Sequence, residues 1–137
     1  MDSVSVSIGP SDGALFDKYV NQKPAFVKFY SPDCFHCIAM APAWKKLEQR
    51  VKDDIPRDAY LIEVHHGAIP NITSECAKHV KGFPTLLEVK LGGYPGKEYH
   101  GPRDAERMHE FFSEVFVATR RGGAKRKRKK KTKRLTR

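Results

Sequence analysis

The sequence predicts an α/β protein in which a β-sheet carries helices on both faces. Two observations support this. Extended apolar runs alternate with stretches whose apolar residues recur every three or four positions, in the order β-α-β-α-β-α-β-β-α. A Cys-x-x-Cys, Cys34-Phe35-His36-Cys37, stands where one extended run, Ala25 to Tyr30, gives way to the longest helical pattern. A third observation bounds the folded part. Residues 1–119 hold 14 Lys or Arg against 16 Asp or Glu, whereas residues 120–137 hold 12 basic residues and no acid. The formal net charge of +10 is thus that of a nearly neutral domain, 1–119, followed by a polybasic tail, 120–137.

Val4, Val6 and Ile8 alternate with serines, the pattern of a short edge strand, and Gly9-Pro10 ends it. Ser11-Asp12 can cap a helix running to about Asn21, with Leu15, Phe16, Tyr19 and Val20 on its inner face. Ala25 to Tyr30 reads as a central strand. From Cys34, the residues Cys37, Met40, Trp44, Leu47 and Val51 recur every three or four positions, so one stripe of a long helix faces a core; Pro42 should kink it. Tyr60 to Val64 is the next strand, and a short helix is expected over Thr73 to His79. Thr85 to Val89 is a β-rich run ended by Gly92-Gly93, with Lys97 to His100 as its hairpin partner. Asp104 caps a last helix whose Met108, Phe111, Phe112 and Val115 form an apolar face.

A length of 137 residues gives one domain with a core of useful size. Three cysteines, two of them in one motif, do not describe a disulfide-stapled secreted domain. Met1-Asp2-Ser3-Val4 shows neither the positive start nor the apolar stretch of a secretory signal, and no apolar run approaches the ~20 residues of a membrane span. A reducing compartment, cytoplasm or nucleus, is therefore expected. Asn71-Ile72-Thr73 is formally a glycosylation acceptor, which in that setting is a chance match.

Two thiols three residues apart at a helix start can close a disulfide. The first lies at the positive end of the helix dipole, which favours thiolate, and the second is tucked one turn further in. Cys34 is expected to attack and Cys37 to resolve. The same four residues are also half of many zinc sites, and Cys76-Ala-Lys-His79 supplies a second pair with ligand-like spacing. His36, as imidazolium beside Cys34, would favour the thiolate, while Asp33 would repel it. His65, His66, His79, His100 and His109 show no base-and-nucleophile pattern and are expected at the surface.

Three ordered segments carry a resemblance. Phe26 to Cys37 with Ala41-Pro42, then Val80 to Leu87 around Gly82-Phe83-Pro84, then Tyr99-His-Gly-Pro-Arg103, together resemble the thioredoxin-fold family, in its protein disulfide isomerase branch, over residues 4–117. The resemblance implies a thioredoxin fold, a central mixed sheet flanked by helices, and a protein thiol-disulfide oxidoreductase or isomerase whose substrates are protein thiols or disulfides. It needs no cofactor or metal, and a monomer is expected. It also implies a cis peptide bond before Pro84, with Phe83 and Pro84 offering backbone to an extended substrate beside Cys34. Asp33 and Phe35 would flank that substrate, standing where the family usually has Trp and Gly. Lys28 stands where the family usually has a buried carboxylate; the family's strand alternation would aim it beneath the dithiol. A buried lysine there could serve as the base that activates Cys37, unless its stem carries the ammonium out to water.

The tail, with Gly122-Gly123 as a hinge, cannot build a core and is expected to be disordered. Its cations Lys125, Arg126, Lys127, Arg128, Lys129, Lys130, Lys131, Lys133 and Arg134 come without one aromatic residue. That favours phosphate-directed, sequence-blind attraction to nucleic acid or another polyanion over base stacking. A dithiol domain with a polybasic end also resembles the disulfide relays and basic virion proteins of large DNA viruses. The rival readings are a non-catalytic module that binds protein and nucleic acid, and a structural zinc domain.

Overall fold

A computed structural model of the chain describes residues 4–53 and 58–117. Five strands form one mixed sheet: β1 (Ser5–Ile8), β2 (Ala25–Tyr30), β3 (Tyr60–His65), β4 (Thr85–Lys90) and β5 (Tyr94–Glu98). Their spatial order is β1-β3-β2-β4-β5. β1 and β2 run parallel to β3, while β4 is antiparallel to β2 and to β5. The helices are α1 (Gly13–Val20), α2 (Phe35–Lys52) and α3 (Ala105–Phe112), the last continued by a wide π turn over Ser113–Val117.

The sheet separates two cores, as strand alternation requires. Ala25, Val27 and Phe29 of β2 and Tyr60, Ile62 and Val64 of β3 face α1, where Phe16 and Val20 complete one core. Phe26 and Leu61 face the opposite way, onto Met40, Trp44, Leu47 and Val51 of α2 and Met108, Phe111 and Phe112 of α3. The α2 stripe read from spacing is buried as expected, and the helix passes through Pro42 without interruption.

Four local expectations are corrected. Between β3 and β4 the chain forms two 3-10 segments, His66–Asn71 and Glu75–His79, in place of one helix over Thr73 to His79. The backbone N–H groups of Thr73 and Ser74 donate instead to the Asp17 carboxylate, at 2.9 and 3.0 Å, and the Cys76 N–H to the Gly93 carbonyl at 2.9 Å. The backbone is extended at Ser74 (φ −60°, ψ 144°), so no helix runs through it from Thr73. In α1, Leu15 is 40% exposed, because the buried stripe is Gly13, Phe16 and Val20. Asp12 precedes that helix with no side-chain cap bond; its φ of −109° and ψ of 30° are not the extended conformation from which a cap reaches back. β5 begins at Tyr94 rather than Lys97, because Gly92 and Gly93 take positive φ (93° and 88°) and reverse the chain at once. By contrast Asp104 caps α3 as expected, accepting from the Arg107 N–H at 2.8 Å.

Candidate active site

β2 runs straight to the dithiol. After Tyr30 the chain turns, closing with a Cys34 N–H to Ser31 carbonyl bond of 3.1 Å, and Cys34 becomes the N-cap of α2 with extended backbone (φ −84°, ψ 121°). Its sulfur occupies the place of a capping oxygen, accepting the Cys37 N–H at 3.2 Å. As a thiol it lies 3.4 Å from the Phe83 carbonyl, which can accept its proton, and the peptide bond between Phe83 and Pro84 is cis.

The two sulfurs are placed asymmetrically. Hydrogen bonding to Cys37 holds the Cys34 thiol below its ordinary range, helped by the backbone N–H groups of Cys37 and His36 and by the charge of Arg103, which together outweigh slight desolvation. Burial, and then the bond with Cys34, pushes Cys37 up to about 11. Cys37 is 4% exposed. The arrangement thus makes Cys34 the more readily ionised sulfur and keeps a proton on Cys37 behind it.

A line of polar side chains crosses three strands, and the charge of its first member, Lys28, reaches Cys37. Alternation turns Lys28 to the same side as Phe26, toward α2, and register sets it opposite Glu63, which in turn sits opposite Ser7. Lys28 is buried, its ammonium 3.2 Å from Glu63 and within 5.3 Å of the ring centres of Tyr30 and Trp44. The Ser7 hydroxyl donates to the other Glu63 oxygen at 2.8 Å. The lysine therefore ends on a carboxylate inside the protein and does not run out to water. Its positive charge is also one of the influences that draw the Cys37 thiol down.

The remaining predicted residues surround Cys34 on the outside. Phe35 is 76% exposed, and the His36 ring lies edge-on to it at 5.6 Å, while the His36 backbone serves the thiolate. Asp33 is exposed, its N–H directed at the Ser31 hydroxyl at 3.4 Å. Phe83 is partly exposed and packs on His66, which stacks on His65. Ile38 is 59% exposed one residue after Cys37. Glu63, Arg103 and His66 were not singled out from sequence as parts of this site.

Cys76 belongs elsewhere. It is fully buried in the core against α1, where burial pushes its thiol to about 12, and His79 is paired with Glu98 at 2.9 Å. The four-ligand zinc arrangement is thereby overturned, and no group of three His, Cys, Asp or Glu side chains suited to a metal occurs among the described residues. No helix of the described residues is long and apolar enough to cross a membrane. The tail cations from Lys125 to Arg134 lie outside the described residues.

Comparison with known proteins agrees with this geometry. The thioredoxin family model matches residues 8–114. The chain is 36% identical over 97 residues to a protein disulfide-isomerase of Hordeum vulgare, covering 70% of this chain and 19% of that one. It is 40% identical over 92 residues to human protein disulfide-isomerase A2, covering 65% and 16% respectively. It thus spans about a fifth of the length of these relatives. Among solved structures, a fragment of ERdj5 superposes with a TM-score of 0.62 at 26% identity, over 80% of this chain and 50% of that one. Human ERp44 superposes with a TM-score of 0.65 over 83% of this chain and 30% of that one, at 20% identity, and so shares the fold. With its Cys-x-x-Cys at the head of α2, the cis-proline facing it and a family match over residues 8–114, this chain belongs to the thioredoxin family.

Proposed function

We propose that the protein is a thiol-disulfide oxidoreductase acting on protein thiols or disulfides, with Cys34 as nucleophile and Cys37 as resolving thiol. The observation that carries this is the opposed setting of the two sulfurs: Cys34 capped by N–H groups and open to solvent, Cys37 buried with its proton held to about 11. The Cys34 thiolate attacks a substrate disulfide and one substrate sulfur leaves as thiolate. Cys37 then attacks Cys34 and the second substrate sulfur departs, leaving Cys34 and Cys37 joined and the substrate reduced by two electrons; the reverse sequence oxidises a dithiol. Relatives named protein disulfide-isomerase support the reading. His36 and Lys28 assist through charge near the sulfurs. Phe83, Pro84, Asp33 and Phe35 receive the substrate chain, Phe83 through backbone hydrogen bonds and Phe35 through its exposed ring.

The polybasic tail anchors this chemistry to nucleic acid or another polyanion; twelve cations without an acid or an aromatic among them support that part. Titrating the protein against glutathione mixtures, with free thiols alkylated and counted by mass, tests the central reading. A single two-electron transition linking Cys34 and Cys37 is expected. A pair that stays reduced across the whole range removes the redox function and leaves a non-catalytic binding module.

A further inference from the structure

Beside the dithiol stands a column of rings that the thiol exchange leaves unused. It runs from the end of β2 out to the cis-proline loop. The Tyr30 ring lies edge-on to His65 at 5.7 Å, His65 stacks on His66 at 4.7 Å with 23° between the planes, and His66 packs on Phe83 at 5.9 Å. Phe83 is the residue whose carbonyl lies 3.4 Å from the Cys34 sulfur. The inner rings are fixed by further contacts. The Lys28 ammonium sits 5.3 Å from the centre of the Tyr30 ring, and His65 Nδ1 accepts the Gly67 N–H at 3.0 Å. His66 is exposed, and its ring nitrogens have no protein hydrogen-bond partner among the described residues. An imidazole held between two rings, with its N–H turned to no other group, gives up little freedom on taking a ligand.

The surroundings of that imidazole suit an anion. A ring that accepts an N–H at Nδ1 carries no proton there, so His65 is neutral in this arrangement and sets no positive charge against His66. The segments that meet around the dithiol, 30–37, 65–67, 80–84 and 99–103, carry Lys81, Arg103 and four histidines against one acid, Asp33. Of those histidines, His100 is turned to Glu98 at 3.8 Å. A substrate strand lying along the Phe83 backbone places its own side chains about 4.5–5.5 Å from those of its neighbour, within reach of His66.

We infer that His66 is a specificity-determining residue that donates an N–H to a carboxylate on the substrate chain, so that disulfides with an Asp or Glu close to the reacting cysteine are preferred. The inference rests on the dithiol reading above and adds a substrate class to it. His66 acts on binding of the substrate chain, and the bonds made and broken between the sulfurs stay as described.

The test reacts the reduced full-length protein with short peptides whose single cysteine is held as a mixed disulfide with thiopyridine. The Cys34 thiolate attacks the peptide sulfur and thiopyridone leaves, its absorbance giving the second-order rate constant; Cys37 then frees the peptide thiol. Glu, Gln, Lys and Phe are placed in turn one and two residues to either side of the cysteine. In the wild type, one of these positions is expected to favour Glu about threefold over Gln and about fivefold over Lys, the size of a partly exposed charge pair. His66→Phe keeps a ring against Phe83 but offers no N–H, and should bring Glu and Gln to equal rates. His66→Glu should invert the order at that same position, favouring Lys. An inversion does not arise from misfolding, since an unfolded chain presents Cys34 without preference. Equal rates for all wild-type reactions, a preference for Phe at every position, or a Glu preference that survives His66→Phe overturns the inference and leaves the dithiol mechanism intact. So does a loss of preference in Lys81→Ala equal to that in His66→Phe, which would assign recognition to the general positive field. Undiminished thiopyridone release from Cys34→Ser would overturn the mechanism and the inference together.

Discussion

Cys34 and Cys37 are chemically identical residues that one helix start makes unlike. The N-cap position gives Cys34 two backbone N–H groups and solvent, while one turn further in Cys37 gets burial and a sulfur neighbour. Alkylation with iodoacetamide followed against pH should therefore label Cys34 first, with half-reaction below the ordinary thiol range. Cys37 should react only toward pH about 11, and Cys76, pushed to about 12 in the core, should not react until the protein unfolds. Peptide mapping of the labelled protein reads all three at once, and equal labelling of Cys34 and Cys37 at neutral pH would contradict the asymmetry. The outward half of this site was legible because it is local: four consecutive residues, a strand before them and a helix after. Its inner half is not local. Lys28 could be marked as a buried charge, but its counterion is 35 positions away and becomes a neighbour only through β2–β3 register. The available signal was Glu63 itself, one acid inside the otherwise apolar run Tyr60 to Val64. Arg103 acts on Cys34 from the loop before α3, across a distance no sequence period describes.

At the scale of elements, the segment between β3 and β4 shows what pattern reading misses. A four-residue stretch such as Ser74 to Ala77 carries too little periodicity to tell a 3-10 turn from an α-helix. Asp17 on α1 ties this segment in place, its carboxylate accepting from the backbone and hydroxyl groups of both Thr73 and Ser74. Burial raises the Asp17 carboxyl, but the hydrogen bonds from Ser74 and Thr73 together outweigh it and the net effect is downward. A carboxyl with a lower value folded than unfolded stabilises the fold above its unfolded value of about 4, and that contribution disappears as pH falls through the folded value. Asp17→Ala should therefore lose about 1–3 kcal/mol at pH 7 in urea unfolding, given donors left without their charged acceptor. The difference from wild type should shrink below pH about 4, whereas a constant difference down to pH 2 would show that the carboxylate's charge is immaterial. Longer elements left clearer marks. The α2 stripe and the α3 face were readable because five and three buried residues repeat at helical spacing, and the Asp104 cap because an acid stands directly before the helical pattern and accepts from the Arg107 N–H.

For the whole molecule, the sheet with a core on each face follows from alternation in strands too short to read as anything else, and the mixed strand order was implied by the family resemblance. The domain through residue 119 carries net −2 by its side chains and the tail +12. Truncation after Thr119 should accordingly leave dithiol chemistry unchanged and remove affinity for duplex DNA. For the full chain, log K should fall by ~0.9 per phosphate neutralised as log salt rises, with little preference among sequences. Fluorescence anisotropy of labelled duplexes over ~50–300 mM salt measures this, and equal affinity of the two proteins would locate binding outside the tail. The central claim, that the Cys34–Cys37 pair turns over protein disulfides, is tested most directly by reduction of insulin disulfides with dithiothreitol as electron source. The wild-type protein should accelerate the reaction, Cys34→Ser should fall to the uncatalysed rate, and Cys37→Ser should accumulate a mixed disulfide between Cys34 and an insulin chain, visible by mass. Wild-type rates in both variants, with no such adduct, would contradict the account.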